Sequence, residues 1–193
     1  MMCSKTAMIC RVSCLAVVMG ICALLPVVAG GEDTMTLPPS AATDPRAEDQ
    51  GGQDQILVHV YFADRFGNYL QAEKRILASA TNGVEKGRLI VKALIKGPRT
   101  DLVRTVPAET RLNAFYLGQG GRAYVDLSED VMNNSPGGCK TEMLTVYSLV
   151  NSLVLNMPEV ASVTILINGR ETPTLAGHID NRYPYTADML LIR

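Results

Sequence analysis

The sequence has no tryptophan and only three phenylalanines among 193 residues. Large aromatic rings therefore cannot dominate its core, and aliphatic side chains must fill it. Histidine is scarce as well, with only His59 and His178. A zinc site would need both of them plus cysteine or carboxylate company. His59 falls inside a strand-like alternation, so neither a metal nor any other cofactor is expected. Cysteine is confined almost wholly to the beginning. Cys3, Cys10, Cys14 and Cys22 leave Cys139 alone further on, which excludes an internal disulfide in the C-terminal part. An excess of basic charge is missing too. With 18 Lys and Arg against 19 Asp and Glu, nothing favours electrostatic capture of nucleic acid. No internal repeat marks a solenoid.

The first acidic residue is Glu32, and Val12 to Gly31 carries no charge at all. Lys5 and Arg11, an apolar stretch from Leu15 to Leu25, and small residues near Ala29 give residues 1–30 the layout of a signal peptide. The uncharged run also approaches the length of a membrane span, so an N-terminal membrane anchor fits equally. Either reading places the remainder outside the cytoplasm, secreted, periplasmic or held at the outer face of the membrane. Lipidation fits less well, because Met19-Gly20-Ile21 puts a bulky residue before Cys22. Residues 31–53 are rich in proline, glycine and acidic residues and read as a flexible linker. The folded domain is expected over 54–193.

Within that domain "QILVHVYF", Gln55 to Phe62, reads as a buried strand, and Tyr69 to Leu77 as a more exposed return strand. Asn82, with Glu85 three residues on, opens a helix whose apolar face is Ile90, Val91, Leu94 and Ile95; Gly97-Pro98 closes it. "TRLNAFYL" and "RAYVDLS" flank Gly118-Gln119-Gly120-Gly121, two strands joined by a tight turn. A second helix spans roughly Gly138 to Asn156. "SVTILI" then alternates as a strand, and Asn168-Gly169 is a strong hairpin signal. The tail "DMLLIR" suits either an edge strand of the same sheet or pairing with another subunit. The order defines an α/β (α+β) sandwich, a mixed or antiparallel sheet covered by two main helices.

The second helix carries two patterns. Cys139, Met143, Val146, Val150, Leu153 and Met157 recur at helical spacing and define a packed face, so Cys139 reads as a small buried apolar residue. Its rival role is a nucleophile at the helix N-terminus with His178 as base. Thr141, Thr145, Ser148 and Ser152, with Asn151, form a hydroxyl-rich side that either packs against the sheet and bonds to helix carbonyls or meets a partner. Thr145, Tyr147, Ser148, Asn151 and Ser152 are therefore the candidate partner-binding residues. His178, Asp180 and Tyr183 form a candidate loop or ligand site, in which His178 orders a turn allowed by Gly177. Asp126 with Glu129 or Asp130 could suggest glycoside hydrolysis, but proximity in sequence does not establish the separation across a cleft that it requires. "GQGG" joins strands and is no phosphate loop. No catalytic set emerges.

Several segments together resemble one family. "VHVYFAD" (58–64), "ALIKGP" (93–98), "VPAETRLN" (106–113), "AYVDLSED" (123–130), "PGG" with "EMLTVYSLVNSL", and "VTILINGRETPTLAGHID" (163–180) are similar to the GerMN, or sporulation and spore germination, domain. The resemblance covers essentially the whole expected domain. It implies a non-catalytic, extracytoplasmic α/β domain akin to ring-building modules, whose namesake supports a channel between mother cell and forespore. Here one copy stands where the namesake has two. The implied function is binding or assembly in the bacterial cell envelope, through envelope proteins or self-association, with membrane contact only through the N-terminal segment. The alternative is a peptidoglycan-binding domain or envelope hydrolase.

Overall fold

The computed structural model describes residues 55–193; the export segment expected over 1–30 and the linker over 31–53 lie outside the described residues. β1 (Gln55–Ala63) and β2 (Leu70–Ala78) form an antiparallel hairpin. Alternation buries Val58, Val60 and Phe62 of β1 completely, as a period of two demands of a strand with one covered face. The same face of β2 contributes Glu73 and Arg75, both buried.

α1 spans Gly83–Lys96. Asn82 Oδ1 accepts from the Glu85 N–H at 2.9 Å, and the Glu85 carboxylate reaches back to the Thr81 N–H at 2.9 Å. The expected capping pair is present, with the return bond one residue earlier than in the usual box. Gly97, at φ 88, ends the helix by donating its N–H to Leu94 O. Inside α1, Gly87 has a packing reason, because any Cβ there would overlap the ring of Phe115.

β3 (Leu112–Leu117) and β4 (Arg122–Leu127) pair antiparallel across the Gly118–Gly121 turn, and β5 (Ser162–Ile167) pairs parallel to β4. A parallel neighbour needs a crossover. It is supplied by the short α2 (Asp130–Asn133) and the long α3 (Cys139–Val154). Ile90 and Leu94 of α1, Phe115, Val125, Leu149 and Leu153 of α3, and Ile165 share one core.

The fold is the expected mixed α/β architecture, with strands divided into two sheets, β1-β2 and β3-β4-β5. Asn168 and Gly169, at φ 49 and 74, do make the tight turn, but it closes on a single pair, Ile167 with Arg170. The place a return strand would take beside β5 is held by Tyr185, which exchanges two 2.8 Å backbone bonds with Val163. The tail joins the described sheet by one bridge, Leu70 with Ile192. No helix among the described residues is long and apolar enough to cross a membrane.

Candidate functional site

The polar side of α3 faces inward. Thr145, Ser148, Asn151 and Ser152 are all buried, and each fastens the helix to a different piece of backbone or side chain. Thr145 Oγ1 donates to Thr105 O at 2.6 Å, and Thr105 Oγ1 donates to Ser148 Oγ at 2.8 Å, pinning the loop that follows α1. Ser152 Oγ accepts the Tyr61 N–H at 2.9 Å, and Asn156 accepts from His59 N and donates to His59 O, so two α3-side residues seal the outer edge of β1. Asn151 exchanges two 3.0 Å bonds with the Asp188 backbone. Tyr147 is half-buried, edge-on to Tyr185 with centroids 6.1 Å apart. The hydroxyl-rich side is therefore interior. A partner has no access to these four residues in this fold, because their hydrogen-bonding capacity is taken by the chain itself.

Cys139 differs from its expected place. It is exposed, because it is the first residue of α3, and the helix enters the core only from Glu142 onward. Met143 on the same stripe is half-buried. No hydrogen bond among the described residues joins Cys139 to His178, whose ring Nδ1 lies 3.0 Å from Glu142 Oε2. Asp180 is held by both Arg182 Nε (2.9 Å) and Nη2 (2.8 Å), and the hydrogen bonds from Arg182 bring its carboxyl down to about 2. Tyr183 points to solvent. The structure thus places His178 and Asp180 in one loop, each with its own partner, Glu142 and Arg182.

Sequence reasoning passed over Glu142. Its carboxylate is 1% exposed and accepts the N–H groups of Ala176 (2.7 Å), His178 (2.8 Å) and Ile179 (3.0 Å) besides the His178 ring contact. Burial pushes this carboxyl up, but the three backbone donors and His178 outweigh it, and it lies below its ordinary value. The signal was present in the sequence: a lone acidic residue one turn into a helix that carries no further charge to its end.

At the N-terminal end of α3 the surface is concave and apolar. The β1-β2 turn, closed by Asp64 accepting the Asn68 and Tyr69 N–H groups, carries Phe66, which is 70% exposed. Ala63, Phe66 and Val103 on one side and Pro136, Lys140 and Leu144 on the other line a hollow of about 360 Å³. A second hollow of about 290 Å³ shares Arg104, Thr105, Pro136 and Thr141 and extends the groove toward Glu109. Ala63 and Val103 exchange two backbone bonds, 3.1 and 2.8 Å, fixing one wall. Thr145 and Ser148 hold the same wall from behind through Thr105. Thr141, the half-buried end of the predicted hydroxyl stripe, is the one member that lines this groove. No group of three or more potential metal ligands occurs among the described residues.

A hairpin, a three-stranded mixed sheet and a long crossover helix whose polar side is bonded inward define a small α/β domain with one apolar end. The family model for sporulation and spore germination, Germane, matches residues 59–173, more than half of the chain. The chain belongs to that family. Among solved structures, the first GerMN domain of the sporulation protein GerM from Bacillus subtilis is similar at 18% identity and TM-score 0.57, covering 70% of this chain and 98% of that one. A candidate lipoprotein from Clostridium perfringens is similar at 20% identity and TM-score 0.51, covering 72% and 91%. The tandem GerMN domains of GerM are similar at 19% identity and TM-score 0.52, covering 70% of this chain and 46% of that one, so this chain spans about half of the tandem. At these identities the likeness is one of fold. Among curated proteins no sequence matches this chain.

Proposed function

We propose that this protein is an extracytoplasmic, non-catalytic binding and assembly module of the bacterial cell envelope, carried outside by residues 1–30 and gripping a protein partner at the groove beside Phe66. The observation that carries this reading is the contrast between the two ends of α3's environment. The polar side chains of the helix are bonded within the molecule, whereas Phe66 and Val103 stand exposed around an apolar hollow. Exposed apolar surface rimmed by polar residues is the usual mark of an interaction site. The charge pattern of residues 1–32 and the family membership support the envelope setting. Nothing in the charge balance favours nucleic acid, and membrane contact is assigned to the N-terminal segment alone.

A photo-crosslinking residue at position 66 of the full-length protein, combined with membrane fractionation and the intact mass of the N-terminus, tests this. Linkage to a defined envelope protein from the extracytoplasmic side supports the reading. A cytoplasmic protein, or one that links to nothing at position 66, overturns it. The alternative, peptidoglycan binding or hydrolysis around His178, Asp180 and Tyr183, predicts that His178→Ala lowers retention on purified cell-wall material; retention equal to that of the unaltered protein removes it.

A further inference from the structure

The β1-β2 sheet has two edges, and the chain treats them differently. The β1 edge is sealed at His59 by Asn156, at Tyr61 by Ser152 and at Ala63 by Val103. Because His59, Tyr61 and Ala63 point their backbone groups outward, their register partners Lys74, Ala72 and Leu70 point theirs to the opposite edge. There Leu70 O accepts the Arg193 N–H. Beyond it, the outward N–H and C=O groups of Ala72, Lys74 and Ile76 have no partner among the described residues. Ile76 is 62% exposed, and Leu57, directly opposite it on β1, is 60% exposed. An open strand edge beside an apolar cross-strand pair is a template for another strand.

We propose that this edge pairs with β2 of a second copy, antiparallel about a two-fold axis at Ile76, to give a continuous four-stranded sheet. A two-fold axis makes the exposed Leu57–Ile76 pair complementary to itself, which favours a second copy as the occupant, and charge narrows the register. An axis at Lys74 sets two lysines directly opposite each other, and an axis at Arg75 does the same with two arginines; like charges at such positions are destabilising. An axis at Ile76 places Lys74 opposite Ala78 and Arg75 opposite Leu77 of the second copy. It also lines up Leu57, Ile76 and their two counterparts in one apolar row. This closed, isologous contact needs no other molecule. It names a partner for assembly and rests on the proposed function only in that the domain assembles.

The test uses the full-length protein in cells, with Cys3, Cys10, Cys14, Cys22 and Cys139 replaced by serine. A hydrogen-bonded antiparallel pair has its Cα atoms about 5.5 Å apart, inside the range a disulfide spans. Ile76→Cys should therefore give about ten-fold more oxidised dimer than Lys74→Cys, whose Cα has Ala78 opposite. Adding Lys74→Pro to Ile76→Cys should abolish the dimer. The Lys74 N–H points away from β1, so the hairpin loses no bond, and an unchanged circular dichroism spectrum checks that the fold persists. Equal linkage at 74 and 76, no linkage at 76, linkage of 76 to a different protein only, or dimer surviving Lys74→Pro each overturns the proposal. Linkage is driven by an added oxidant, diamide, in the separated fractions, because a reducing cytoplasm would otherwise prevent any disulfide; a cytoplasmic protein that links at Ile76 then sinks the envelope reading and leaves this one standing.

Discussion

Two buried glutamates hold loops in this domain, and they are built differently. Glu73, on β2, accepts Arg75 Nε, the N–H groups of Arg99 and Thr100, and the Thr100 hydroxyl at 2.6 Å, tying the turn after α1 to the first sheet. Glu142, on α3, accepts three N–H groups of the 176–179 loop and the ring of His178. Arg75 is 2% exposed and also donates to Gly97 O at 2.7 Å, whereas His178 is exposed. The first clamp contains a permanent ion pair out of water. The second is a carboxylate solvated by backbone, with a titratable side chain at its outer margin. Arginine suits the first position because its charge is fixed and its fork serves two acceptors at once.

The largest effect should come from breaking the first clamp. Glu73→Gln leaves the Arg75 guanidinium buried without a counter-charge, which costs about 3–5 kcal/mol. Replacing both, as Glu73→Leu with Arg75→Met, should recover much of that loss. Urea unfolding followed by circular dichroism measures each variant; a double variant as unstable as the single one would show that the turn bonds, and not the charge pair, dominate.

Glu142→Gln should cost less, about 1.5–3 kcal/mol, the scale of hydrogen bonds to a charged acceptor. The amide keeps one carbonyl oxygen and turns an NH2 toward donors. Its local signature should be faster hydrogen exchange at Ala176, His178 and Ile179, with the β1-β2 hairpin unchanged. Uniform acceleration across the domain would contradict the idea of a local clamp.

Acid is the next lever, and the sign follows from the direction of the shifts. At Glu73, burial raises the carboxyl, yet Thr100, Arg99 and Arg75 together bring it below the ordinary 4.5; Glu142 is lowered in the same sense. The unfolded chain then binds more protons than the folded one in this range. Both contributions are complete above the ordinary carboxyl range and are lost as pH falls through the depressed folded values. Stability measured from pH 6 downward should drop, and Glu142→Gln should flatten part of that slope. An unchanged slope would mean that other carboxyls carry the acid sensitivity.

The strands, both long helices and the α1 cap were legible because each rests on a local rule: period two in "QILVHVYF", helical spacing after Asn82, glycine at the turns. The inward side of α3 was legible only as a pair of alternatives. Hydroxyl spacing reports that these residues share a side, but which backbone lies against that side is a long-range fact, here Thr105, Tyr61 and Asp188. Glu73 and Arg75 were readable in principle, since their two-residue spacing puts them on one face with Leu77. That strand was nevertheless read as the more exposed one, because charged residues are seldom fully buried unless paired. The groove at Phe66 had no signature at all. It arises where the β1-β2 turn, the 103–106 loop and the start of α3 meet, and those segments are far apart in sequence.

The smallest effect is expected at His178, and it sharpens the comparison most directly. If backbone donors carry the second clamp, His178→Ala removes one partner of four and leaves its own N–H in place, so the cost should be about 1 kcal/mol, the net worth of one ordinary hydrogen bond. The imidazole also lies where water can replace it. A double-mutant cycle with Glu142→Gln measures the coupling between the two side chains. Coupling near zero would mark Glu142 as an anchor for backbone alone. Coupling as large as the whole Glu142→Gln effect would make the second clamp an ion pair like the first, and His178→Ala would then release the 176–179 loop as fully as losing the carboxylate does.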